Sequence, residues 1–193
     1  VKSSFANQGQ ICLCGSRIYV EESIAEQFKK DFVKKVSDLH IGSPFEAATK
    51  IGALVSKEHL EKVENYIEIA KSEDGKILYG GERVSVKGFE NGYYLQPTVI
   101  EVEHNNCRIQ QEEVFGPVVT IMTFKTESEA LQLANGVRYG LSATVWTNNL
   151  NRTMRLSKQL ETGIVWVNTW LNRDLRTPFG GMKDSGVGRE GGF

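Results

Sequence analysis

Cysteine and proline are both scarce in this chain, three and four among 193 residues. Three thiols cannot complete a disulfide framework, and Cys12 and Cys14 are too close in sequence for a comfortable bridge. No ligand cluster accompanies them, so no metal is expected. A reducing, cytoplasmic setting fits such cysteine usage. Charge of one sign is also lacking: 23 Lys and Arg stand against 24 Asp and Glu, a net of -1. No field exists to draw in nucleic acid or a membrane surface, and neither is expected as a partner. No apolar run reaches membrane-spanning length. A charged-then-apolar leader is absent too, and Val1 in place of methionine implies a chain that begins mid-protein. Asn151-Arg-Thr153 matches a glycosylation sequon but, without a secretory signal, is read as chance.

The residues present suit a folded domain. A content of 40% hydrophobic and 24% charged residues is enough to bury a core, with no low-complexity tract, repeat or linker to divide it. One domain over 1–193 is the simplest expectation. Periodicity alternates between strand and helix. Arg17 to Val20 reads as a strand, followed by a helix from about Ser23 to Leu39 with Ile24, Phe28, Phe32, Val36 and Leu39 on one face. A second helix starts near Ser56, whose hydroxyl can cap it, carries Leu60, Val63, Ile67 and Ala70 in one stripe, and ends by Gly75. Strands are expected at 77–79, 98–102 and 118–124, the last bounded by Gly116-Pro117. Thr126-Glu-Ser-Glu129 opens a further helix as a capping box. Residues 142–146, 149–160 and 164–168 then form a strand, helix, strand unit, which demands a right-handed crossover if parallel. The class is α/β, with a parallel-type sheet and helices on its faces. From Thr169 onward periodicity fades, and 169–193 reads as an ordered loop laid on the domain.

Cys12 lies in Phe5-Ala-Asn-Gln-Gly-Gln-Ile-Cys-Leu-Cys-Gly-Ser-Arg17, among small, polar and glycine-rich neighbours. A thiol titrates near ~8.5 and only its thiolate attacks, so a reactive cysteine needs accessible, polar surroundings, whereas apolar packing suppresses ionisation. The alternative is a cysteine that merely fills space. Gly186-Val-Gly-Arg-Glu-Gly191 satisfies the dinucleotide fingerprint G-x-G-x-x-G in form alone, since no strand precedes it and no helix and strand follow. No other glycine cradle for a pyrophosphate is visible. His40 and His104 have no partner pattern and are expected to be ordinary surface or loop residues.

The Cys12 segment closely resembles the nucleophile motif of NAD(P)-dependent aldehyde dehydrogenases, and the resemblance extends nearly end to end. It implies that Cys12, not Cys14, attacks the aldehyde. Glu112-Glu-Val-Phe-Gly-Pro117 matches the family segment in which the second glutamate binds the nicotinamide ribose and the phenylalanine packs beside the ring, which puts those roles on Glu113 and Phe115. By itself that segment could equally be a helix end and a turn. Ser56 to Lys62 aligns with a helix that reaches the adenosine end of the cofactor, implying His59 and Lys62 near the ribose there; a solvated helical face would look the same.

Trp166-Val-Asn168 and Pro178-Phe-Gly-Gly181 resemble segments flanking the aldehyde tunnel, with Phe179 as a wall residue. The run from Trp170 to Gly181 looks most like the branch that oxidises muconic semialdehydes, including the 2-amino and 2-hydroxy compounds. In many relatives that handle neutral aldehydes the position of Arg173 is apolar; here its guanidinium could meet a substrate carboxylate bidentately. The alternative is that Arg173 pairs with Asp174 or faces water. The resemblance implies NAD as cofactor, with NADP open, an aldehyde as substrate, and a homo-oligomer for the full-length enzyme. It also implies that the general-base glutamate, the oxyanion asparagine, the dinucleotide-binding domain and the oligomerisation strand lie outside these residues, and that the fragment alone does not turn over. Another small aldehyde as substrate, or a non-catalytic assembly remnant, are the competing readings.

Overall fold

Val118-Val-Thr-Ile-Met-Thr-Phe124 is apolar or β-branched throughout, the pattern of a strand covered on both faces. In the structure, a computed structural model whose description covers residues 1–192, this run is an inner strand of a four-stranded sheet. The sheet consists of β1 (Arg17–Glu21), β2 (Lys76–Tyr79), β3 (Thr98–Glu101) and β4 (Val118–Phe124), in the order β1-β4-β3-β2. β1 and β3 run parallel to β4, with Arg17 opposite Thr120 and Thr98 opposite Val118, while β2 joins the β3 edge antiparallel.

Two helices cover the faces. α1 (Lys2–Phe5) is a single turn, and α2 (Glu22–Ser37) packs Ala25, Phe32 and Val36 with Val20, Val99, Val119 and Ile121. On the opposite face, α3 (Lys57–Ser72) packs Leu60, Val63, Ile67 and Ala70 with Ile100, Val102 and Val118. Val118 and Val119 thus serve opposite layers, as the strand's period of two requires.

The expected stripe on α2 holds except at its start. Ile24 is 57% exposed and Ala25 takes the buried place. A four-residue spacing drifts against a 3.6-residue turn, so the line through Phe28, Phe32 and Val36 swings away from the sheet when extended back to Ile24. α3 begins as expected, with the Ser56 hydroxyl accepting from the His59 N–H at 3.2 Å. It stops at Ser72; Asp74 adopts φ +63°, and the Gly75 N–H donates to the Ala70 carbonyl at 2.7 Å. One further turn, α4 (Arg108–Gln111), precedes β4.

The chain divides into two compact units, Val1–Lys125 and Thr126–Phe193, at a boundary without a Pro-, Gly- or Ser-rich linker. The second unit begins with α5 (Glu127–Asn135), whose N-cap Thr126 hydroxyl accepts from the Glu129 N–H. Next come β5 (Tyr139–Gly140), β6 (Ser142–Val145), α6 (Leu150–Gln159) and β7 (Ile164–Val167), and β6 pairs parallel with β7 across the intervening helix. Glu127 joins the two helices of this unit by accepting from Arg152 at 3.1 Å and Arg155 at 2.7 Å. The region after Thr169 is mostly loop but includes β8 (Met182–Lys183), paired antiparallel with β5. Gly163 lies so close beneath the Gly180 carbonyl that a Cβ could not be fitted between them. Among the described residues no helix is long and apolar enough to cross a membrane.

Candidate active site

The Cys12 turn is built from backbone that side chains resist. Asn7, Gln8 and Gly9 have φ of +49°, +57° and +71° in succession. A non-glycine residue there costs about 1–2 kcal/mol, so the turn must be held from outside. Gln8 supplies the hold by a two-point clamp on the neighbouring chain, its Oε1 accepting from Gly52 N–H at 3.1 Å and its Nε2 donating to the Ala53 carbonyl at 3.4 Å. The Asn7 amide donates to the Gln10 carbonyl at 3.1 Å. On this frame Cys12 is exposed while Leu13 is buried, so the side chain at position 12 faces outward. Cys14 is half-buried, its Sγ–H donates to the Ala6 carbonyl at 3.7 Å, and burial pushes its thiol up to about 11.

The turn is pressed against the second segment of interest. A Cβ on Gly9 would overlap the Gly116 carbonyl, and a Cβ on Gly116 would meet Val63 of α3 at 2.7 Å. Two glycines therefore bring the cysteine turn, the Glu113–Pro117 loop and α3 into contact. Within the loop Phe115 has φ +60°, an outlying conformation for an aromatic residue. His59 Nε2 lies 2.7 Å from the Phe115 carbonyl. Because a carbonyl only accepts, Nε2 carries the proton there. The two rings also meet edge to face at 6.3 Å. Lys62 Nζ donates to the Glu113 carbonyl at 3.2 Å. Four of the expected cofactor residues, Glu113, Phe115, His59 and Lys62, thus form one hydrogen-bonded group beside the Cys12 turn, with the Glu113 side chain exposed.

The other two expected residues lie in the second unit. Arg173 is exposed, with its guanidinium 4.2 Å from the centroid of the Phe179 ring. The local pair runs from Asp174 to Arg176 instead, at 2.5 Å, and not to Arg173. Trp166 Nε1–H donates to the Asn172 carbonyl at 3.0 Å, fixing the chain just before Arg173. Phe179 exchanges both backbone hydrogen bonds with Glu190, at 2.8 and 2.7 Å. A cleft of ≈ 240 Å³ is lined by Arg173, Leu175, Thr177, Glu190 and Gly191. Gly186 to Gly191 contributes to this loop and opens no helix. His40 and His104 are exposed, His40 3.5 Å from Glu46.

Sequence reasoning missed Gln8, Tyr66 and Arg108. Tyr66 has the clearest signal, standing seven residues after His59, two turns along the same helical face. Its hydroxyl donates to Glu112 Oε2 at 2.7 Å, and Arg108 reaches both Glu112 oxygens at 2.7 and 2.9 Å. Gln8 had no comparable signal, because its partners at 52 and 53 are remote in sequence.

A mostly parallel sheet between helices, with an exposed cysteine beside a turn of three positive-φ residues, defines the chain as an α/β domain. The chain belongs to the aldehyde dehydrogenase family, whose model matches residues 1–193. It is 50% identical over 196 residues to the 2-aminomuconic semialdehyde dehydrogenase of Bos taurus, an alignment spanning 99% of this chain and 40% of that protein. The 2-aminomuconic 6-semialdehyde dehydrogenase of a Pseudomonas species is 44% identical over 197 residues, 100% of this chain and 40% of its own length. Among solved structures, the betaine aldehyde dehydrogenase of Staphylococcus aureus in complex with NAD+ superposes with a TM-score of 0.96 at 40% identity, covering 99% of this chain and 38% of that one. The chain therefore spans about two fifths of the length of these relatives.

Proposed function

We propose that the protein carrying this chain oxidises a carboxylate-bearing muconic semialdehyde to the carboxylic acid with NAD, and that Cys12 is its nucleophile. The observation that carries the reading is the outward Cys12 on a turn clamped by Gln8 and packed on the Glu113–Pro117 loop. The Cys12 thiolate attacks the aldehyde carbon, forming a C–S bond as the carbonyl electron pair moves to oxygen. A bound NAD would supply the acceptor for the hydride of that carbon. What remains on Cys12 is a thioester, which water cleaves at the C–S bond, releasing the acid and restoring the thiol. The glutamate that activates this water and the asparagine that joins the oxyanion hole belong, by family resemblance, to residues outside this chain.

The residues present fit a dinucleotide. Glu113 offers an exposed carboxylate able to accept from two ribose hydroxyls, and the backbone behind it is held by Lys62. Phe115 offers an aromatic face to a flat ring. Lys62 has three ammonium donors, of which one serves the Glu113 carbonyl, leaving others for the adenosine-side ribose that the resemblance assigns to it and His59. Arg173, stacked on Phe179 and unclaimed by Asp174, is the group that meets the substrate carboxylate.

Steady-state kinetics of the full-length protein test both assignments. Cys12→Ala abolishes oxidation. Arg173→Ala raises KM for the semialdehyde by about 10- to 100-fold, the loss of a charged hydrogen bond, and leaves an uncharged aldehyde unaffected. Equal constants for both substrates in Arg173→Ala would remove the carboxylate assignment.

A further inference from the structure

The pair Glu112-Glu113 resolves into two different jobs. Glu112 has extended backbone, φ -114° and ψ 154°, and its carboxylate is occupied by partners, whereas Glu113 is exposed. The Glu112 carboxylate turns toward the helices and accepts three hydrogen bonds, two from the Arg108 guanidinium and one from the Tyr66 hydroxyl. With Glu112 held against Tyr66 and Arg108, Glu113 is the carboxylate of the pair left exposed. Arg108 is anchored in turn, because its backbone N–H donates to Glu73 Oε2 at 2.8 Å, just past the end of α3.

α3 therefore contacts the loop with one face. His59, Lys62 and Tyr66 lie at i, i+3 and i+7, and they bond respectively to the Phe115 carbonyl, the Glu113 carbonyl and the Glu112 carboxylate. Rising positions on the helix meet falling positions on the loop. Tyr66 is also flanked by cations, with Lys62 Nζ 5.8 Å and the Arg108 guanidinium 5.9 Å from its ring centroid.

We infer that Tyr66, Arg108 and Glu112 are positioning residues for the dinucleotide, fixing through the Glu112 carboxylate the loop that presents Glu113 and Phe115. The inference rests on the dehydrogenase reading above and adds to it residues that touch neither substrate nor cofactor. A purely structural role is a weak alternative, since Arg108 and Glu112 side chains are 51% and 39% exposed and such surface pairs contribute little to global stability. Their value lies in where they hold Glu113.

The test uses the full-length protein with Glu112→Ala, Arg108→Ala, Arg108→Lys and Tyr66→Phe. Expected is a rise of about tenfold in KM for NAD in the two alanine variants, equivalent to one charged hydrogen bond, with KM for the aldehyde and the rate of Cys12 alkylation unchanged. Arg108→Lys recovers part of the loss, Tyr66→Phe shows a smaller one, and the double alanine variant is no worse than either single because both break one contact. A lowered Tm with unchanged KM for NAD would overturn the positioning role. If the parent protein binds no NAD at all, the dehydrogenase reading falls and takes this one with it. If the parent binds NAD and the variants bind it equally, only the positioning role falls.

Discussion

Cys12 and Cys14, two positions apart, have opposite surroundings. Cys12 is exposed, whereas burial raises the half-buried Cys14 thiol to about 11 and also raises that of Cys107. At pH 8 iodoacetamide should therefore modify Cys12 first, with Cys14 following only as pH approaches 11; peptide mapping by mass spectrometry reads the order, and uniform labelling would contradict it. Carboxylates respond at the other end of the scale. Arg108 holds Glu112, and Arg155 holds Glu127, at about 2 rather than 4.5. Folded values below the unfolded one mean stability that is present above pH 4.5 and lost as pH falls through 2. The difference in Tm between the parent and Glu127→Gln should shrink over that window and vanish below it. At this scale the exposure of Cys12 was legible in its small polar neighbours, and the Glu113–Pro117 segment was singled out by its motif. The sequence could not disclose that His59 and Lys62 bond to that motif's carbonyls, since no local pattern encodes a contact across more than fifty residues.

Among the elements, those with a cap and a full stripe were legible. Ser56 and Thr126 both cap as their positions imply, and β4 spans the expected residues. Single turns such as α4 and two-residue strands such as β5 and β8 were not, because periodicity needs more than one repeat and these are held by remote partners. The glycine contacts between elements yield a sharp prediction. Gly9→Ala and Gly116→Ala should each lower Tm and slow Cys12 alkylation, because the new methyl has no room against Gly116 and Val63 respectively. Gly188→Ala, which meets nothing within 4 Å, serves as the silent control. A Gly9→Ala protein as stable as the control would sink the contact.

For the whole molecule, composition supported a folded domain and periodicity its α/β class, but the division at Lys125 left no mark in the sequence. Linker signals register flexible spacers, and a division between two compact units needs none. Hydrogen exchange should follow it. Ile67→Ala, which removes a side chain 1% exposed in the core of the first unit, should cost about 2–5 kcal/mol and reduce protection across 1–125. Glu127→Ala breaks both arginine bonds between α5 and α6 and should reduce protection within 126–192 instead. Loss spread evenly over the chain by both variants would show that the units do not respond separately.

The stacked contact of Gly9 on Gly116 on Val63 has an evolutionary consequence. In a lineage that shifts α3 as a body the glycine contacts carry the Cys12 turn along, so a change in the proposed cofactor grip that spares the proposed nucleophile falls to side chains such as Tyr66 and Glu112 rather than to the helix backbone.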